Sequence, residues 1–225
     1  MFFDPWYFIY IGPAFVLSMI AQLWLRSAYA KATKQAAPLS GAAAARHILD
    51  SAGLHNVAIE RSPGGELSDH YDPRDKVLRL SPHVYAERTA AAVGIAAHEA
   101  GHAIQDARNY APLIIRNLAV PAAGIGSNMG MLLAILGIVF SYQPLAYLGI
   151  ILFSCVVFFQ VINLPVEFDA SNRAKAILVD LNIVPREEMP AVRNVLNAAA
   201  LTYVAATLQA ILTLLYLLMR ANQRD

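Results

Sequence analysis

The chain has 225 residues, 57% of them hydrophobic and only 15% charged, against roughly 45–50% and about 25% in ordinary soluble domains. With a mean hydropathy of +0.46 it is too apolar for a soluble globule of this length, and the same figures exclude disordered and collagen-like chains. A formal net charge of +1 argues against a nucleic-acid partner, and the single cysteine, Cys155, excludes a disulfide-stapled fold.

Four stretches approach the ~20 apolar residues that span a bilayer core. The first, 6–25, is uncharged, and Trp6, Tyr7 and Tyr10 suit an interfacial belt. Asp4 in front and Arg26 behind favour a retained anchor over a cleaved signal. Residues 26–117 form a polar stretch long enough for a small domain. In it Ser40 caps a helix ending near Gly53, residues 57–60 read as a strand, and Pro63-Gly64-Gly65 as a turn. Residues 69–73 read as a turn, 76–80 alternate as a strand, Ser81-Pro82 opens a short helical turn, and Thr89 caps a small-residue helix over 90–108.

The second span, 118–140, carries Ala122, Ala123, Gly124, Gly126 and Gly130, small enough for neighbouring helices to approach closely. After Ser141-Tyr142-Gln143-Pro144 the third span, 145–164, completes a hairpin. A second polar segment, 165–197, has a helical pattern over 167–181, and the fourth span, 198–219, ends at Arg220. The expected organisation is therefore an anchor (1–25), a small α+β domain (26–117), a transmembrane hairpin (118–164), a polar segment (165–197) and a last span with its tail (198–225). The expected class is a mainly α membrane protein.

Basic residues within ~20 residues of a span end set the orientation. Arg26, Lys31, Lys34, Arg108, Arg116, Arg173, Lys175 and Arg193 fall on one side, and only Arg220 and Arg224 on the other. The crowded side is expected to be cytoplasmic, with both termini outside.

Chemistry concentrates in His98-Glu99-Ala100-Gly101-His102. At i and i+4 on a helix, two imidazoles stand one turn apart on one face, where both reach one zinc ion. Glu99, about 100° around the helix, reaches a water there instead. A catalytic zinc takes three protein ligands. The hairpin returns the chain to the side of His98 and His102 just before Glu167, the expected third ligand, with His70 as its competitor. Asp106, on the same face as the histidines, is a candidate to orient His102. One zinc ion per chain and a Glu99 general base then make a peptidase. Arg173 or Asn172 is expected to stabilise the oxyanion, and an edge strand Lys76-Val77-Leu78-Arg79-Leu80 to pair with an extended peptide.

Laid out in this way, the chain resembles the YugP-like family of neutral zinc metallopeptidases of bacterial membranes. The resemblance runs over nearly the whole length. It is carried by Phe3-Asp4-Pro5, Asp69-His70-Tyr71-Asp72-Pro73, Leu80-Ser81, residues 96–105 around the histidines, and Pro165-Val166-Glu167-Phe168-Asp169-Ala170-Ser171. It implies zinc, endopeptidase activity and a gluzincin-like site of His98, His102 and Glu167 with Glu99 catalytic, in a bacterial inner membrane. More distantly the chain is similar to HtpX and the CAAX prenyl-protein endopeptidases. Those usually carry an aspartate four residues after the ligand glutamate, where this chain has Ser171.

The expected function is cleavage of cytosolic or juxtamembrane segments, with membrane-protein quality control as a role and membrane-associated proteins and the lipid bilayer as partners. Rival readings are an intramembrane site-2-type protease, disfavoured by the lack of any Asp-Gly pair, and a non-catalytic zinc scaffold, disfavoured by the lack of a fourth ligand.

Overall fold

The structure, a computed structural model, describes residues 5–65 and 68–223. Phe3, Asp4 and Arg224, which entered the motif, anchor and charge arguments, lie outside the described residues. The protein is a mainly α membrane protein with a small three-stranded sheet. Four helical stretches are long and apolar enough to cross a membrane: Pro5–Ala32, Ala111–Val139, Gln143–Asp180 and Met189–Asn222.

In chain order the elements are α1 (Pro5–Ala32), α2 (Gly41–Ser51), β1 (Ala58–Arg61), β2 (His70–Asp72), β3 (Val77–Leu80), α3 (Pro82–Ala86), α4 (Ala90–Ala107) and α5 (Ala111–Ile125). A π-helical turn, Gly126–Gly130, leads into α6 (Met131–Val139), followed by α7 (Gln143–Asp180) and α8 (Met189–Asn222). They divide into two compact units. One comprises Met1–Ala21, Ile114–Pro165 and Leu201–Asp225, the other Gln22–Leu113 and Val166–Ala200.

The first unit turns large apolar side chains outward: Phe8, Ile9, Leu118 and Ile151 are all at least 60% exposed. Water would penalise such a surface, whereas hydrocarbon is as apolar as they are. Inside it, helices touch through glycine. A Cβ at Gly137 would lie 2.2 Å from Ala146 N, and one at Gly149 would lie 2.1 Å from Ala134 N. The hairpin helices α6 and α7 therefore meet backbone to backbone, which only small residues permit.

The second unit holds the sheet, in the order β1-β3-β2, with β1 and β3 parallel and β2 and β3 antiparallel. Its core is aliphatic, with Ile48, Leu49, Leu78, Leu80, Leu178 and Val192 fully buried. The Ser40 and Thr89 hydroxyls accept from Ala43 N and Ala92 N, so both expected caps form. Helix α4 is buried almost throughout, because its Ala and Gly residues let neighbours close in on every side.

Several expectations change. Residues 69–73 are not only a turn, since His70–Asp72 form β2. The turn follows it: Asp72 Oδ1 accepts from Arg74 N and Asp75 N, and Lys76 adopts a φ of 53°. This reversal lays β2 along β3, so the expected edge strand Lys76–Leu80 is central, flanked on both sides. Pro165 does not end a helix either. Helix α7 runs through it for 38 residues, tolerating the missing N–H that usually kinks a helix.

Candidate metal centre

Helix α4 and the part of α7 that belongs to the second unit build the site. Helix α4 presents His98 and His102 from successive turns, their rings 4.7 Å apart and nearly perpendicular. Helix α7 presents Glu167. The helices approach closely because of Gly101, which lies between the histidines. A Cβ there would sit 2.8 Å from Ala170 O. Glu167 Oε2 consequently lies 3.2 Å from His98 Nε2 and 3.7 Å from His102 Nε2. One ligand atom from each of the three falls within 4.8 Å of the others.

The donor set fits zinc. Two bonds of about 2.1 Å at a tetrahedral angle separate their ligand atoms by about 3.4 Å, close to both carboxylate–imidazole distances here. All three side chains are nine-tenths or so buried. Three ligands leave a fourth position, as a catalytic zinc requires. Burial alone would lower the His102 pKa. The hydrogen bond to Glu167 and the charges of Glu99 and Glu167 outweigh it and raise the value above that of an ordinary imidazole. The pocket is thus electronegative and suited to a cation.

Around the ligands lies a layer of hydrogen bonds that spacing did not reveal. Ser171 Oγ is 3.1 Å from His98 Nδ1, so this residue has a partner in the site. Gln105, fully buried, places Oε1 2.9 Å from His102 Nδ1 and gives Nε2 to Val166 O and Asp169 Oδ2, both at 2.8 Å. Asp169 also accepts from Arg173 Nε. Glu99 Oε2 accepts from Tyr71 N at 3.1 Å, tying the candidate base to β2.

The other expected site residues are placed as follows. Asp106 does not orient His102, as Gln105 occupies that position; Asp106 accepts from Tyr71 Oη at 2.7 Å and from Lys76 Nζ. Burial and the bond to Asp106 raise the Tyr71 pKa, keeping the phenol protonated. His70 is exposed, with Nδ1 at Ser68 O, and is not among the converging ligands. Asn172 is exposed, and Arg173 is paired with Asp169. Of the expected substrate strand, Val77, Leu78 and Leu80 are core residues, while Arg79 pairs with Asp72 and Asp75. The missed signal was Gln105 itself: a fully polar amide at i+3 from His102 in an Ala-rich buried helix needs a partner.

A family model described as "Putative neutral zinc metallopeptidase" matches residues 7–222. The chain belongs to that family. The chain is also 44% identical over 212 residues to the "Putative membrane protease YugP" of Bacillus subtilis (strain 168), a match covering 93% of this chain and 94% of the relative. No solved structure matches it. Zinc is accordingly the cofactor of this family member, and His98, His102 and Glu167 form a group able to bind one ion.

Proposed function

We propose that this metallopeptidase is a gluzincin-like membrane endopeptidase that cleaves cytosolic or juxtamembrane protein segments. The convergence of His98, His102 and Glu167 beside a buried Glu99 carries the reading. His98 and His102 would hold zinc through Nε2 and Glu167 through its carboxylate. The bound metal would supply Lewis acidity, lowering the pKa of water and polarising the scissile carbonyl. Glu99, held by Tyr71 N, takes a proton from the attacking water and passes it to the leaving amine. The buried surroundings strengthen these charge interactions.

Substrate pairing belongs with β2 rather than β3. Among the described residues β2 has no strand on its outer side, and Tyr71 N points from it to Glu99. An extended peptide added there would run past the candidate base. The distribution of basic residues supports a cytoplasmic catalytic face in the bacterial inner membrane, and a role in membrane-protein quality control fits that placement.

The test is zinc content and peptidase turnover on detergent-purified protein. The parent should hold about one zinc per chain and Glu167→Ala should lose it, whereas Glu99→Gln should keep the metal and lose turnover by ~10²-fold or more. A Glu99→Gln protein that cleaves as fast as the parent refutes the mechanism. Full zinc retention in Glu167→Ala refutes the ligand set.

A further inference from the structure

We propose that Gln105 is a positioning residue that selects the metal-binding tautomer of His102 and pins the Glu167 helix beside it. This rests on the ligand role assigned to His102 above. The argument is one of donors and acceptors. A primary amide has one end that only accepts and another that only donates. Gln105 Nε2 lies 2.8 Å from Val166 O and 2.8 Å from Asp169 Oδ2. A backbone carbonyl only accepts, and so does the Asp169 carboxylate, whose Oδ2 already takes the Arg173 Nε hydrogen. Both amide hydrogens are therefore committed and the side chain cannot turn over.

Its oxygen consequently faces His102 Nδ1 at 2.9 Å, and that nitrogen must carry hydrogen. The neutral ring is then left with its lone pair on Nε2, the atom that faces Glu167. The same amide joins α4 to the first turn of α7 after Pro165, through Val166 and Asp169. One residue thus fixes both which atom of His102 is basic and where the helix of the third ligand lies. His98 has no such constraint, since the Ser171 hydroxyl at its Nδ1 can give or receive a hydrogen bond. Arg173, expected at the oxyanion, holds Asp169 in its accepting role.

The test measures zinc affinity on the full-length protein in detergent, by competition with a chromophoric chelator. Gln105→Glu keeps the size of the side chain but sets acceptors against Asp169 and Val166 O, and should weaken zinc binding by ~10- to 100-fold, the usual effect of losing a partner of a ligand. Adding Asp169→Asn supplies a donor to the new carboxylate, and the double variant should recover most of the loss. Asp169→Asn alone keeps an amide oxygen able to accept from Gln105 Nε2 and should weaken binding less than Gln105→Glu, so the pair is non-additive. The melting temperature of the metal-free proteins separates a folding defect from a metal defect, and a merely structural role would show recovery in melting temperature with no recovery in affinity.

Parent-like affinity in Gln105→Glu, or no recovery in the double variant, overturns the proposal. His102→Ala distinguishes the two levels of inference. If it abolishes tight zinc binding while Gln105→Glu leaves affinity unchanged, only the role of Gln105 fails. If His102→Ala itself binds zinc like the parent, the ligand assignment fails first.

Discussion

Gly101→Ala would add a single methyl group between the two histidines and is expected to unmake the site. The new Cβ would lie 2.8 Å from Ala170 O, 3.2 Å from Ala170 Cα and 3.3 Å from Ala170 C, where ordinary contact begins near 3.4 Å. Backbone atoms cannot swing aside as a flexible side chain can, so α4 and α7 must separate by roughly 0.6 Å. Overpacking of this kind costs about 1–3 kcal/mol. It also carries Glu167 away from both imidazoles, whereas ligand distances in a metal site tolerate only about 0.2 Å. Zinc affinity should therefore fall at least tenfold, and the melting temperature should drop as well. Gly94→Ala is the control on the same helix. Its Cβ would meet Val192 Cγ1 at 3.0 Å, a side-chain atom away from the ligands rather than the backbone of the Glu167 helix, so stability should fall with zinc affinity unchanged. Zinc titration and thermal melting of both variants decide the matter. Parent-like affinity in Gly101→Ala would show that the helix contact does not hold the ligands together.

Two further outcomes are expected. Ser171→Ala removes the hydroxyl 3.1 Å from His98 Nδ1 and should weaken zinc binding severalfold, less than Gln105→Glu, by the same chelator competition; a greater loss would reverse the ranking of the two histidines. In a Cys155→Ala background, a cysteine at Gln35 should resist a membrane-impermeant thiol reagent in intact cells, while one at Tyr142, 59% exposed at the hairpin turn, should react. The opposite pattern would invert the membrane orientation.

The fold was legible wherever a single physical signal dominated. Four long apolar runs became four long helices, and the Ser40 and Thr89 hydroxyls cap α2 and α4 because the first N–H groups of a helix have no acceptor within it. Two features resisted. Strand β2 is three residues long, too short for alternation to show, and exists because the Asp72 turn folds it onto β3. Pro165 reads as a boundary in isolation, yet the helix continues through it. Missing β2 displaced the substrate edge, because a strand with neighbours on both sides has no free backbone groups to offer a peptide.

In the site, the side chains that would touch the metal were readable and those that support them were not, for one physical reason. A pair of histidines at i and i+4 needs only helix geometry to share a face, and Glu167 needed only a hairpin to bring it back. Which group takes the far nitrogen of each imidazole depends instead on contacts between α4 and α7. Asp106 and Gln105 lie on neighbouring positions one turn beyond His102, and the charged one was the natural choice for a partner. The packing decides otherwise: β2 and the turn after it bring Tyr71 and Lys76 to Asp106, while α7 brings Val166 and Asp169 to Gln105. A neutral amide, able to accept from an imidazole and donate to a carboxylate at once, suits a buried bridge between two helices better than a carboxylate would. A second carboxylate there would face Asp169 and lack any donor for Val166 O. The choice of glutamine follows from the acceptors around it, which only the packed structure displays.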